Sequence, residues 1–341
     1  MTRKFNTPVT PLSVTPGSSI SELVAGMGGT SFQARSLSRA VDIWARMITE
    51  EVTIFFGLAG AMVPAGMRGV IVYLVQHRFI DCLVSTGANL FHDLHESLGR
   101  HHWHTSPCVD DDELASSRIY RIHDVITSAP EFDSTEDFVI DFASTLERDR
   151  AYTTQEFYYL IGKALLDQGA EQGILSACAA AAVPIYCPAP GDSVFGAALA
   201  GARVKRGVPF LFDVVKDIVE LVQIVTAASA SGVIFVGGGT PKNFIQQAQL
   251  CGDLFDRELK GHRYAIQVTT DSPQWGGLSG CTFEEARSWC KVAPQAPTAT
   301  VNCDATIALP IMASALAERC ADTIEHRARP TFTLGPELAV G

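Results

Sequence analysis

Lys291 stands in Ser288-Trp289-Cys290-Lys291-Val292, downstream of the glycine-rich loop Trp275-Gly276-Gly277-Leu278-Ser279-Gly280. Framed by Trp, Cys and Val, it is expected to be partly withdrawn from water. A desolvated lysine holds its proton less firmly and offers a nucleophilic amine. The same residues also fit a lysine whose stem lies on apolar surface while its charge reaches solvent. Upstream, Glu284 and Glu285 open an apparent helix beginning at Thr282, on which Glu285 and Trp289 share a face at i, i+4. A carboxylate beside an indole suits an aliphatic ammonium ligand, through charge pairing and cation–π contact. The alternative is a first-turn glutamate stabilised by the helix dipole.

Two other groups of residues are suited to chemistry. Gly237-Gly238-Gly239 follows an apolar run, Val233–Val236, and precedes a helical pattern. Backbone N–H groups at such a turn can approach a phosphate, although the spacing is not the Gly-x-Gly-x-x-Gly fingerprint and a tight packing turn reads equally well. Similar loops occur at Gly57–Gly66, Thr86–Asn89 and Trp275–Gly280, and Asp304 follows a strand where it could accept from a ribose hydroxyl or cap a helix. The second group is His92, His95, His101, His102 and His104, with Cys108 and Asp110 to Asp112 behind. His92 and His95 have helical i, i+3 spacing, but neither His-Glu-x-x-His nor paired Cys-x-x-Cys occurs, so no metal site is assigned. Hydrolysis of an amine or guanidine substrate by this cluster is kept as an alternative.

The elements that must position these residues repeat as apolar strand, small or polar loop, then helix. Thr53–Phe56, Cys82–Ser85, Pro184–Cys187, Val233–Val236, Tyr264–Val268 and Thr298–Val301 are the strands. Strands apolar throughout are those buried on both faces, so the expected fold is α/β: a doubly wound, mostly parallel sheet with helices on both faces, Rossmann-like. Ligands of such sheets bind beyond the carboxyl ends of the strands. Residues 1–19 read as an extended arm, 20–327 as one catalytic domain and 328–341 as a loose tail. The stretch 101–156 reads as irregular, an insertion or interface element.

Bulk properties narrow the function further. The net charge of −11 and the absence of a basic tract argue against nucleic acid. No apolar run reaches the roughly 20 residues of a membrane span. Nine irregularly spaced cysteines point to reduced thiols, hence a cytoplasmic protein with no membrane association.

Several motifs, in order, resemble those of deoxyhypusine synthases and their bacterial deoxyhypusine-synthase-like relatives. They are Phe32-Gln33-Ala34-Arg35, Thr53–Gly60, Val84–Asn89, Gly237-Gly238-Gly239-Thr240-Pro241-Lys242-Asn243 and Glu285–Lys291. The resemblance covers roughly residues 8–320. It implies NAD as cofactor, oxidation of spermidine, loss of 1,3-diaminopropane, capture of the butylimine by a lysine matching Lys291, and transfer of the aminobutyl group to an acceptor amine. The acceptor is a lysine of the translation initiation factor 5A precursor in some members and putrescine in homospermidine synthases. Donor contacts carry over to Asp192, Glu285 and Trp289. NAD contacts carry over to Gly57, Gly60, Ala61, Thr86, Gly87, Ala88, Gly237, Gly238, Thr270, Asp271, Gly276, Ser279 and Asp304. A homotetramer with active sites at subunit interfaces is implied.

The departures concern the amine pocket. Asn243 stands where eukaryotic members have a donor-contacting histidine, Leu278 and Ala197 replace two acidic residues, Cys290 replaces a glycine, and His92 replaces a glutamate. Loss of two negative charges weakens a tri-cation site or shifts its preference. The reading that follows is an NAD-dependent aminobutyltransferase using spermidine as donor, with putrescine as acceptor and homospermidine as product. The alternatives are deoxyhypusine synthesis on a protein lysine, or a catalytically silent polyamine- or NAD-binding homologue.

Overall fold

The structure is a computed structural model describing residues 7–341. Six strands make its central sheet: β1 (Thr53–Leu58), β2 (Cys82–Ser85), β3 (Ile185–Tyr186), β4 (Ser231–Val236), β5 (Tyr264–Thr269) and β6 (Thr298–Asn302). Every residue of β1, β2, β4 and β5 is buried, which is why they read as mostly apolar runs without alternation. β6, at the sheet edge, alternates instead. All neighbours pair in parallel, in the order β3-β2-β1-β4-β5-β6. Strand order therefore runs one way from β1 to β3 and the other way from β4 to β6. That reversal opens a crevice beyond the carboxyl ends of β1 and β4, where dinucleotides bind in such folds. This is the parallel α/β sheet expected from the strand pattern.

Side chains alternate across the sheet. Ile54, Phe56 and Leu58 meet Trp44 of the helix Phe32–Thr49 and Leu309 and Met312 of the helix Ala305–Arg319. Phe55, Val233 and Phe235 meet Leu221 and Val225 of the helix Val214–Ala227 and Ile245 of the helix Gly239–Gln247. Full burial of each large apolar side chain contributes about 1.5–3 kcal/mol. Two polar knots fix the surrounding helices. Asp93 accepts from Arg68 Nε at 2.9 Å and from the backbone N–H groups of Ile174 and Leu175 at 2.7 and 2.9 Å, joining three helices. Asp81 accepts from Ile54 N at 2.9 Å and from Arg327 Nη2 at 2.5 Å, in a pair wholly withdrawn from water.

Two expectations are corrected. The stretch 101–156 is regular. Trp103–His104, Ile119–Ile122 and Val125–Ser128 form a three-stranded antiparallel sheet, and the helix Ala129–Thr145 starts from a Ser128 cap. Short half-buried strands of mixed polarity hide that order from a sequence reading. The segment from 328 onward is not loose, because Phe332 and Thr333 pair antiparallel with Val340 and Ala339. Phe332 and Leu338 are buried against the second core, and Lys216 Nζ holds Glu337 at 2.8 Å. Residues 7–19 contain neither helix nor strand, and the first helix begins at Ile20 behind a Ser19 cap; the rest of the expected arm, 1–6, lies outside the described residues. Among the described residues no helix is long and apolar enough to cross a membrane.

Candidate active site

The helix Phe283–Ser288 starts at Thr282, whose Oγ1 accepts from Glu285 N at 3.1 Å. It ends at once because Cys290 takes a left-handed φ of 56°. The turn returns Lys291 N to the Ala286 carbonyl at 3.0 Å, and His262 N donates to the Lys291 carbonyl at 3.0 Å, anchoring this backbone beside the entry to β5. Lys291 Nζ then donates to Asn243 Oδ1 at 3.1 Å and lies 5.5 Å from the centre of the Trp289 ring. Nucleophile candidate, indole and the helix behind the Gly237–Gly239 loop thus form one wall. Glu285 lies on the same short helix and is exposed.

The expected desolvation by neighbouring residues is corrected for the single chain. Trp289 is 60 % exposed and Cys290 is exposed, so only Val292 of the three framing residues is buried, and Lys291 is half-buried. The glycine-favouring φ at Cys290 gives a physical reason for the glycine that the resemblance places there.

Lys242, within the Gly237–Asn243 motif, has a role that only the folded chain shows. Its Nζ donates to Gln267 Oε1 at 2.9 Å and to the Cys281 carbonyl at 2.5 Å, between the rings of Phe235 and Phe283. Burial pushes its ammonium down to about 8; Cys281 and Glu285 oppose this and Lys291 adds to it. Its partners lie 25 and 39 residues away in sequence, so no local motif exposes the role. The signal in the sequence is Gln267, a lone amide inside a fully buried strand.

The loops at the switch point are stitched together. Gly238 passes so close to Ser279 that a Cβ would sit 2.5 Å from its Cα, and Gly239 N donates to Ser279 Oγ at 3.1 Å. Asn89 Oδ1 accepts from Met62 N and Val63 N at 3.0 and 3.2 Å, while its Nδ2 donates to the Gly60 carbonyl at 2.8 Å. That amide ties the Gly57–Gly60–Ala61 loop to Thr86-Gly87-Ala88. A Cβ on Gly87 would lie 2.5 Å from Ser193 Cβ, so the Asp192 loop rests on the same place. Thr270, Asp271, Gly276 and Asp304 are exposed around the rim. Asp304 caps its helix through Thr306 N at 2.7 Å, and the Thr306 hydroxyl and N–H hold its carboxyl below its ordinary value.

These residues fit a dinucleotide: open glycine backbone at Gly60 and Gly276, a helix N-terminus behind Gly238, and exposed carboxylates at Asp271 and Asp304 for sugar hydroxyls. Asp192 is exposed and makes no side-chain hydrogen bond or ion pair among the described residues. The histidines are occupied elsewhere. His95 is buried between Thr135 and Thr127 at 2.9 and 3.1 Å, and burial pushes it to about 3. His92 Nδ1 meets His102 Nε2 at 2.8 Å, and His102 Nδ1 meets Glu96 at 2.7 Å. Among the described residues no three His, Cys, Asp or Glu side chains converge to hold a metal ion.

A parallel sheet of this order, with glycine loops at the switch point and a lysine on their rim, is the architecture of dinucleotide-dependent α/β enzymes. The model of the family "Deoxyhypusine synthase" matches residues 22–316. A chain from Methanosarcina mazei named probable deoxyhypusine synthase 2 is 48 % identical over 335 residues, covering 97 % of this chain and 96 % of its own. A second chain of that organism, named probable deoxyhypusine synthase 1, is 40 % identical over 318 residues, covering 93 % and 96 %. In structure, the chain is similar to a crystal structure from Entamoeba histolytica provisionally assigned as a deoxyhypusine synthase. The TM-score is 0.62 at 19 % identity, over 88 % of this chain and 93 % of that one. The protein belongs to the deoxyhypusine synthase family, whose members are NAD-dependent aminobutyltransferases acting on a polyamine.

Proposed function

We propose that this chain transfers the aminobutyl group of spermidine through an imine at Lys291 to a small diamine, with putrescine as acceptor and homospermidine as product. The observation that carries it is the Lys291 Nζ held at 3.1 Å from Asn243 Oδ1 and 5.5 Å from the Trp289 ring, at the edge of the dinucleotide loops. NAD, held by the Gly57–Ala61, Thr86–Ala88, Gly237–Gly238 and Thr270–Ser279 loops with Asp304, supplies the means to take a hydride from the donor carbon and later return it. The chain's own residues do the rest. Glu285 and Trp289 hold the cationic donor by charge and by the ring face. Asn243 accepts from the Lys291 amine and aims its lone pair once the proton is gone. The Lys291 amine adds to the donor imine, 1,3-diaminopropane leaves with the displaced nitrogen, and the acceptor amine then displaces Lys291.

Asp192 belongs to this site through a second copy of the chain in a homotetramer. The support is its exposed position on a loop packed against Gly87, without a side-chain partner among the described residues, and the exposure of Trp289, Trp275 and Leu278, which a neighbouring subunit would cover. One observation favours a small acceptor. Ala197, exposed on the helix headed by the Asp192 loop, and Leu278, 47 % exposed, present apolar surface where the resemblance expects carboxylates. A protein-lysine acceptor is the second reading, favoured by the relatives' names. Incubation with NAD and spermidine in the presence of both putrescine and an initiation factor 5A precursor, followed by product analysis, decides between them. Homospermidine with 1,3-diaminopropane supports the proposal. Transfer confined to a protein lysine supports the second reading, and neither product rejects both.

A further inference from the structure

Gln267 is an amide in the middle of β5, only 2 % exposed, and every polar group it carries is used. Its Nε2 donates to the Gly237 carbonyl at 2.8 Å and to the Ser279 carbonyl at 2.7 Å. Its Oε1 accepts from Lys242 Nζ at 2.9 Å. Gly237 belongs to the loop after β4, Ser279 to the loop after β5, and Lys242 to the helix that carries Asn243. One side chain therefore spans both glycine-rich walls and the helix whose next residue holds the Lys291 amine at 3.1 Å. Ser279 closes the same ring from the other side by accepting from Gly239 N at 3.1 Å.

The geometry arises because β4 and β5 are parallel neighbours in register, Phe235 opposite Gln267 and Val236 opposite Val268. The two loops leave the sheet side by side. A backbone carbonyl from each would face an apolar strand residue and stay without a donor. A glutamine is long enough to reach both, and its amide has two N–H donors and one carbonyl acceptor, matching what the three neighbours require. A methionine of the same length would leave both carbonyls and the Lys242 ammonium short of a partner in a buried place, where each such loss is costly.

We propose that Gln267 is a positioning residue: it locks the Gly237 and Ser279 loops in the spacing a dinucleotide pyrophosphate needs, and ties that spacing to Lys242 and so to Asn243 and Lys291. It touches neither donor nor cofactor. The inference rests on the NAD and Lys291 roles proposed above. It predicts that NAD affinity, rather than the chemical step at saturating NAD, carries most of the effect of changing Gln267.

The test measures NAD binding by calorimetry and NAD-dependent turnover of spermidine for the wild type, Gln267→Met and Gln267→Glu, with thermal unfolding alongside. Glutamate keeps an acceptor for Lys242 but cannot donate to two carbonyls, so it separates the two halves of the brace. Both variants are expected to raise the Kd and KM for NAD by about tenfold or more, the scale of leaving a buried carbonyl unpaired. Turnover at saturating NAD is expected to stay within about threefold. Wild-type NAD affinity in both variants overturns the proposal. So does full rescue by Gln267→Glu, which would leave only the Lys242 contact at work. Should Gln267→Met fail to fold, Gln267→Glu with its buried pairing to Lys242 carries the decision. A wild-type protein that binds no NAD refutes the functional reading itself. A wild type that binds NAD no better than its variants refutes only the brace.

Discussion

Lys242→Met removes a buried ammonium while keeping a chain of similar length, and the structure fixes how its effect depends on pH. Burial pushes the Lys242 ammonium from 10.5 to about 8, so the unfolded chain binds this proton more tightly than the folded one. Carrying the charge at pH 7 therefore destabilises the wild type by about 3 kcal/mol, at about 1.4 kcal/mol per pH unit. By pH 10 the folded-state lysine is neutral and the penalty falls to about 1 kcal/mol. Wild-type stability thus rises from this group as pH climbs through 8 towards 10.5, and the variant lacks that rise. Against the relief at pH 7 stands the loss of two hydrogen bonds, to Gln267 and the Cys281 carbonyl, each worth about 1–3 kcal/mol when the partner is left buried. The two effects nearly cancel at pH 7. Urea unfolding at pH 7 and pH 10 is expected to show the variant close to wild type at the lower pH and weaker by about 2–3 kcal/mol at the higher. A difference between the two proteins that does not change with pH would refute the reasoning, because other titrating groups are common to both.

Further predictions rest on other residues. Cys290→Gly relieves a left-handed φ of 56° and should raise stability by about 1 kcal/mol without lowering turnover; a lower melting temperature would contradict it. Burial, with Asp217 adding, pushes the Glu220 carboxyl up to about 8, and its Oε1 has no partner among the described residues. That group contributes stability below its unfolded value which is lost as pH rises to 8. Glu220→Gln should therefore be more stable than wild type at pH 8 and lose the advantage near pH 4; equal melting curves at pH 8 would exclude this. Asp192→Ala and Lys291→Ala are each expected to be inactive, and mixing them under subunit exchange should restore part of the activity if Asp192 serves a neighbouring subunit. No recovery in exchanged oligomers would count against the shared site.

The sheet was legible because β1, β2, β4 and β5 are buried on both faces and so carry no polar alternation to confuse the period. The glycine loops, the Asp304 cap and the Thr282 helix start were legible for a related reason, since each is a local device set within a few residues. The C-terminal hairpin was not legible. Phe332 and Leu338 gain their burial from a helix more than 100 residues earlier, and the pairing is only two residues long. Lys242 and Gln267 escaped for the same physical reason: their meaning is a set of contacts across strands, and each alone is an ordinary polar residue. The Trp289 environment is not legible from its neighbours in sequence, because the chain turns at Cys290 and the indole is left exposed.

The central claim is that Lys291 forms the covalent intermediate. Incubating the protein with NAD and spermidine, reducing with borohydride and mapping the peptides by mass spectrometry tests it directly. The expected result is an aminobutyl adduct on Lys291, absent without NAD and absent in Lys291→Ala. Turnover that persists in Lys291→Ala, or an adduct on Lys242 in its place, would contradict the account.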